Sequence, residues 1–146
     1  MNNAQPDECL FCGVLKKTDD ARAGIIHRGE HCFVIVNAYP YSNGHVMVVC
    51  NRHADKFHDL SSDESRELME LVARCEKAIL DDYKPHGINI GANLGKSAGA
   101  GVVGHLHMHL VPRWSGDTNF ITAVGETRVI SEDLADTYKR LKAHFS

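Results

Sequence analysis

No stretch of this chain is apolar for long enough to span a membrane or to form the core of a signal peptide, so no membrane partner is expected. A basic surplus is missing too. There are 16 Lys and Arg against 19 Asp and Glu, a formal net charge of −3 with His neutral. That excludes a broad cationic surface for polymeric nucleic acid. The cysteines, 5 in number, cannot all pair, and a chain of 146 residues buries a core without disulfides. Reduced thiols in the cytoplasm are the expectation, in keeping with a polar start over Met1–Glu8. Repeats, low-complexity tracts and linkers are absent, which predicts one domain over residues 1–146.

What the chain has in quantity is histidine, 10 in all. Three of them alternate with apolar residues in Gly104-His105-Leu106-His107-Met108-His109-Leu110-Val111. In a strand, side chains alternate faces, so His105, His107 and His109 share one side, with alternate positions about 6.5–7 Å apart. That spacing suits one phosphate or one metal held with help from elsewhere in the chain.

The rest of the chain supplies candidates for that help. Cys9-x-x-Cys12 reads as a redox dithiol, half a zinc site or a pair of buried thiols. Residues 25–28 and 31–37 read as two strands turning at Gly29-Glu30, and 45–50 as a strand buried on both faces. Between them, Asn43-Gly44 is a turn signal. Ser61 and Glu64 offer a capping box for a long helix running to about Asp82. Its Leu68, Leu71, Val72, Cys75 and Ile79 form a stripe opposite Glu67, Glu70, Arg74 and Lys77, and Pro85 and Gly87 end it. Residues 87–93 alternate like a strand. The loop from Leu94 to Gly104 is rich in glycine, which lets backbone N–H groups approach an anion. The histidine strand is expected to continue to Trp114, followed by a loop over 115–120. Ser131 is expected to cap a last helix carrying Leu134, Tyr138, Leu141 and Phe145. Strands interrupted by one long helix predict an α+β fold with an antiparallel sheet of about five strands, one long helix and a C-terminal helix.

Imidazole is a nucleophile when neutral and a donor when protonated. Phosphoryl or nucleotidyl transfer needs an attacker, donors to the non-bridging oxygens and help for the leaving group. Three histidines beside a glycine-rich loop supply all three. Three His ligands around a catalytic zinc are the rival reading, which leaves the loop without a purpose.

His105-Leu106-His107-Met108-His109-Leu110-Val111 resembles the signature of the histidine triad family. The supporting pieces stand in family order: Cys9 and Cys12, Asn37, Asn43-Gly44-His45-Val46, Arg52-His53, Asn93 and the glycine loop. The tail Val111–Phe120 is similar to the branch that handles diadenosine polyphosphates, phosphorylases included. The resemblance implies a HIT-like fold and a homodimer with continuous sheets. It implies cleavage at the α-phosphate of dinucleoside polyphosphates or related nucleotides through a covalent nucleotidyl-histidine. A phosphate-dependent phosphorylase, an adenosine phosphoramidase and a non-catalytic nucleotide-binding dimer are the alternatives.

Residue by residue, His107 resembles the nucleophile, His109 the donor to a phosphate oxygen or the leaving group, and His45 a fourth histidine at the phosphate. Asn37 resembles a ribose contact and Asn93 a polar neighbour of the scissile phosphate. Ser97, Gly99, Ala100, Gly101 and Val102 form the expected phosphate loop. Gly101 and Val102 stand where smaller branches carry Gln and Ser or Thr, which tells against phosphoramidate specificity and leaves backbone amides as donors. His105 has two implied jobs: fixing the nucleophile's tautomer through its carbonyl, or ligating a structural Zn²⁺ with Cys9, Cys12 and His53. Thiols packed near the dimer surface are the alternative to zinc. Cys32, Cys50 and Cys75 are expected as core thiols. His27, His31, His58, His86 and His144 are expected at the surface or in loops, and Arg113 in solvent. Trp114 is left between stacking on a base and packing across a dimer interface.

Overall fold

The computed structural model describes residues 9–102, 104–118 and 130–146. The polar start over 1–8, Val103 of the glycine loop, and Asn119 and Phe120 lie outside the described residues.

Two strands set the architecture. In β2 (Cys32–Val36) and β3 (Val46–Cys50) every residue is buried. Successive side chains point to opposite faces, so a strand without a polar position needs cover on both. Val34, Val36, Val46, Val48 and Cys50 belong to one apolar cluster, and Phe33, Ile35, Met47 and Val49 to a second. With β1 (Ile25–Arg28), β4 (Gly87–Gly91) and β5 (His107–Arg113) they form a five-stranded antiparallel sheet in the order β1-β2-β3-β5-β4. This is the predicted α+β arrangement.

The first face is covered by the long helix α3 (Ser62–Tyr83), which buries Leu68, Leu71, Val72, Cys75 and Ile79 as its period predicts. Ser61 and Glu64 close the capping box in both directions. Glu67 departs from the expected solvent face: its carboxylate accepts from the N–H groups of Glu30, His31 and Cys32 and pins the β1–β2 turn. The helix ends at Tyr83, two residues before Pro85. Proline disfavours helical backbone in the residue before it, and Lys84 turns left-handed at φ 47°.

The final helix, α4 (Leu134–Lys142), packs on β1 and α3 and sends Leu141 into the first core, with Phe145 following. Its cap is Asp133, which accepts from the Ala135 N–H, and not Ser131. Ser131 instead accepts from Asn43 Nδ2, tying the last segment to the turn before β3. In that turn Gly44 has φ 82°, and a Cβ there would stand 3.2 Å from both Pro112 and Tyr83.

The second face is covered by α1 (Leu10–Leu15) and the turn α2 (Asp20–Ala23). Phe11 and Val14 of α1 meet Phe33, Ile35, Met47 and Val49. In the β3–β5 register His107 lies opposite Val49 and His109 opposite Met47. Cross-strand partners share a face, so these histidines open toward α1. The strand begins at His107 and stops at Arg113, shorter than expected at both ends.

Candidate active site and metal centre

The three triad histidines have distinct surroundings, and backbone groups create the distinction. His107 is 4 % exposed, and its Nδ1 lies 2.8 Å from the carbonyl oxygen of His105. A carbonyl only accepts, so Nδ1 carries the hydrogen and Nε2 keeps its lone pair. Burial lowers its pKa below 6.5, against the pull of the His105 carbonyl, which favours the neutral ring at pH 7.

The same logic orders a second chain of rings. The Tyr41 N–H donates to His45 Nδ1 at 3.0 Å. His45 must then carry its hydrogen on Nε2, which lies 2.9 Å from His109 Nδ1. His109 therefore accepts at Nδ1 and presents N–H at Nε2. Its pKa is pushed down to about 4, first by burial and then by His107. The two rings stand 4.9 Å apart between centroids. A lone pair and an N–H are thus offered side by side.

His45 departs from its expected place. It is 1 % exposed, behind His109, under the Tyr41 ring at 4.7 Å and beside the Asn37 amide. It positions His109 and does not face the cleft.

Two cavities flank His109 and Tyr41. The larger, about 980 Å³, is walled by apolar residues of α1, β2 and α4, with Asn37, Gly101, Val102, His107 and His109 also in its lining. It has the size and apolar lining of a small-molecule site. The smaller, about 570 Å³, includes Asn93, Asn89, Trp114 and Thr118. Asn37, Gly101 and Val102 thus line the same cavity as His107 and His109, while Asn93 lines the smaller one with His109. Ser97, Gly99 and Ala100 line neither of these cavities. Sequence reasoning missed Phe11, whose ring meets those of His105 and His107 at 5.4 and 5.0 Å. It also missed Tyr41, stacked on His109 at 6.0 Å. Arg113 is exposed as expected, and its guanidinium pairs with both carboxylate oxygens of Asp117 and with Asn89 Oδ1.

His105 turns the other way. Its Nε2 donates to the Cys50 carbonyl at 2.6 Å, leaving the Nδ1 lone pair 3.3 Å from Cys9 Sγ and 3.5 Å from Cys12 Sγ. His53 Nδ1 lies 3.4 Å from Cys12 Sγ. The four donor atoms lie within 4.8 Å of one another.

A family profile described as HIT domain matches residues 18–116. This chain belongs to the HIT domain family. It is 40% identical over 132 residues to an AP-4-A phosphorylase of Mycobacterium tuberculosis, covering 90% of this chain and 68% of that protein. It is 30% identical over 105 residues to an adenosine 5'-monophosphoramidase of Schizosaccharomyces pombe, covering 72% of this chain and 74% of that protein. Among solved structures it is similar to a zinc-bound histidine triad family protein from Mycobacterium smegmatis. The TM-score there is 0.74 at 25% identity, over 96% of this chain and 94% of that one.

The Cys–Cys–His–His cluster of this HIT chain fits a metal on its own chemistry. Zn–S and Zn–N bonds of about 2.3 and 2.0 Å in a tetrahedron set S···N separations of about 3.5 Å. The spacings of 3.3 to 3.5 Å seen here agree. The Cys50 carbonyl behind His105 is the outer partner that orients a ligating imidazole.

Proposed function

We propose that this chain is a nucleotide-processing enzyme that cleaves dinucleoside polyphosphates at the α-phosphate through a covalent nucleotidyl-His107. One observation carries the reading. The His107 Nε2 lone pair and the His109 Nε2–H are offered together, each fixed by a partner on the ring's other nitrogen. Nε2 of His107 attacks phosphorus and the bond to the bridging oxygen breaks. The His105 carbonyl stabilises the positive charge that the ring acquires. His109 donates a hydrogen bond to the departing oxygen. Water or inorganic phosphate then displaces His107 and frees the nucleotide. With a pKa near 4, His109 is a hydrogen-bond donor at pH 7 and not a ready proton source. That suits a polyphosphate, which leaves as an anion, better than an amine, which must be protonated.

The phosphate-dependent branch is favoured because the phosphorylase relative is 40% identical over 90% of this chain. Assay of diadenosine tetraphosphate with and without inorganic phosphate tests it. ADP with ATP, formed only when phosphate is present, is expected. AMP with ATP in its absence would mark a hydrolase, and no product would leave a nucleotide-binding module. His107→Ala should lower turnover by about 10³-fold or more, and full activity in that variant would end the covalent mechanism.

Cys9, Cys12, His53 and His105 would hold a structural zinc that contributes folding energy. The edge strand β4, which leaves Ile90 43% exposed, supports a homodimer built by sheet continuation. Light scattering at the mass of one chain would remove the dimer. Five free cysteines support a reducing, cytoplasmic setting, and among the described residues no helix is long and apolar enough to cross a membrane.

A further inference from the structure

His45 fixes the hydrogen of His109 only while the Tyr41 N–H points at its own Nδ1. Tyr41 and His45 both belong to the irregular segment 41–45 that leads into β3. Backbone bonds secure its end, from the His45 N–H to the Ser42 carbonyl and from the Asn37 N–H to the His45 carbonyl. Side chains secure its middle. Ser42 Oγ donates to the Pro112 carbonyl of β5 at 2.7 Å. Asn43 Oδ1 accepts from the Glu132 N–H at 3.2 Å, and Asn43 Nδ2 donates to Ser131 Oγ at 2.7 Å. A backbone N–H only donates, so Glu132 decides which end of the amide faces it. Gly44 rests on the Tyr83 ring, 3.2 Å from where a Cβ would stand. The Tyr83 hydroxyl donates to the Glu132 carboxylate, which also accepts from Thr137 Oγ1 at 2.7 Å and Arg140 Nη1 at 2.6 Å. One carboxylate therefore gathers the end of α3, the helix α4 and the segment that aims Tyr41.

We propose that Asn43 is a positioning residue: its bonds to Ser131 and Glu132 hold segment 41–45 so that the Tyr41 N–H meets His45 Nδ1, which keeps the His109 hydrogen on Nε2. Without that hold, His45 is free to carry its hydrogen on Nδ1. Its Nε2 then accepts from His109 Nδ1, and His109 turns a lone pair toward the leaving group instead of an N–H. The proposal rests on the reading of His109 as donor given above. It makes residues beyond the family match at 18–116 govern the tautomers inside it.

Imidazole nitrogen NMR of the ligand-free protein at neutral pH reads the tautomers directly, with each ring assigned from its His→Gln variant. The native protein should show His45 and His109 with hydrogen on Nε2 and His107 with hydrogen on Nδ1. Asn43→Ala is expected to turn His45 and His109 together into tautomer mixtures. His107, held by the His105 carbonyl, should not change and so reports that the site is still folded. With diadenosine tetraphosphate, kcat of Asn43→Ala should fall about 10-fold while KM stays within about twofold. Asn43→Asp keeps an oxygen for the Glu132 N–H and should restore both tautomers and rate. Unchanged tautomers at His45 and His109 in Asn43→Ala overturn the proposal, as does a His107 that changes with them, which marks general loss of the site. A raised KM with kcat intact also overturns it and makes Asn43 a substrate contact. A native protein that cleaves no dinucleotide, with tautomers responding as described, ends the catalytic reading and leaves the role of Asn43 established.

Discussion

Each triad histidine takes its role from what its second ring nitrogen faces. The oxygen at His107 Nδ1 leaves the Nε2 lone pair free, and the hydrogen from His45 makes His109 a donor at Nε2. Losing His45 should leave His109 free to take the wrong tautomer. His45→Ala is expected to lower kcat by about 10²-fold with little change in KM. His45→Gln, which keeps an N–H near the same point, should recover part of the loss. A KM effect without a kcat effect would instead make His45 a substrate contact. The pH profile follows from the same rings. His107 and His109 have folded pKa values below the ordinary 6.5, His109 down to about 4. The neutral, active forms therefore persist as pH falls past 6.5, and kcat/KM should decline only below that value. Stability has the same direction. The unfolded chain takes up protons below 6.5 that the folded one refuses, so unfolding should become easier between about pH 6.5 and 4. A kcat/KM that halves at or above 6.5 would contradict the burial argument.

At the level of elements, much was legible because side chains announced it. The unbroken apolar run after His45 marks a strand covered on both faces, and Ser61 with Glu64 marks the start of α3. What could not be read was set by backbone groups or short local geometry. The carbonyl oxygens of His105 and Cys50 leave no trace in composition, yet they decide which nitrogen of each ring is free. Helix α1 is 6 residues long, too short for a periodic signal, and its Phe11 is visible only once β2 is packed beneath it. Ser131 and Asp133 are equally good caps on paper, and the bond to Asn43 takes Ser131 away. The sequence leaves His105 one of two jobs, and its ring and its carbonyl permit both. That duality carries a prediction. A metal on His105 Nδ1 would hold the residue whose carbonyl orients His107, and it would clamp α1 to the start of β5. Protein purified without added metal is expected to contain about one zinc per chain. Cys9→Ser should lower metal content, melting temperature and kcat together. Metal loss with kcat intact would show that packing alone holds the His105 carbonyl in place.

Across the whole molecule, the larger cavity depends on a part of the chain that the family profile does not reach. The match ends at residue 116, whereas Leu134, Tyr138 and Lys139 of α4 form a wall of the larger cavity. That wall is anchored from behind. Leu141 and Phe145 enter the first core, and Arg140 is clasped by Asp82 and Glu132. Glu132 N–H also donates to Asn43 Oδ1 in the turn that leads to His45. The helix that closes the cleft is therefore tied to the strand start that carries the positioning histidine. Removing α4 would expose the core and say little about binding, so the informative change is at its cleft surface. Tyr138 is half-buried, and burial and the nearby Asp20 and Asp19 raise its pKa, so it stays a neutral phenol at pH 7. Tyr138→Ala takes an aromatic wall from the larger cavity. It is expected to raise KM for diadenosine tetraphosphate by about 10-fold. Because the reacting groups lie elsewhere, kcat should stay within about threefold. Tyr138→Phe should keep the native KM if the ring face is what the nucleoside meets. A fall in melting temperature with KM unaltered would make α4 a structural cover alone.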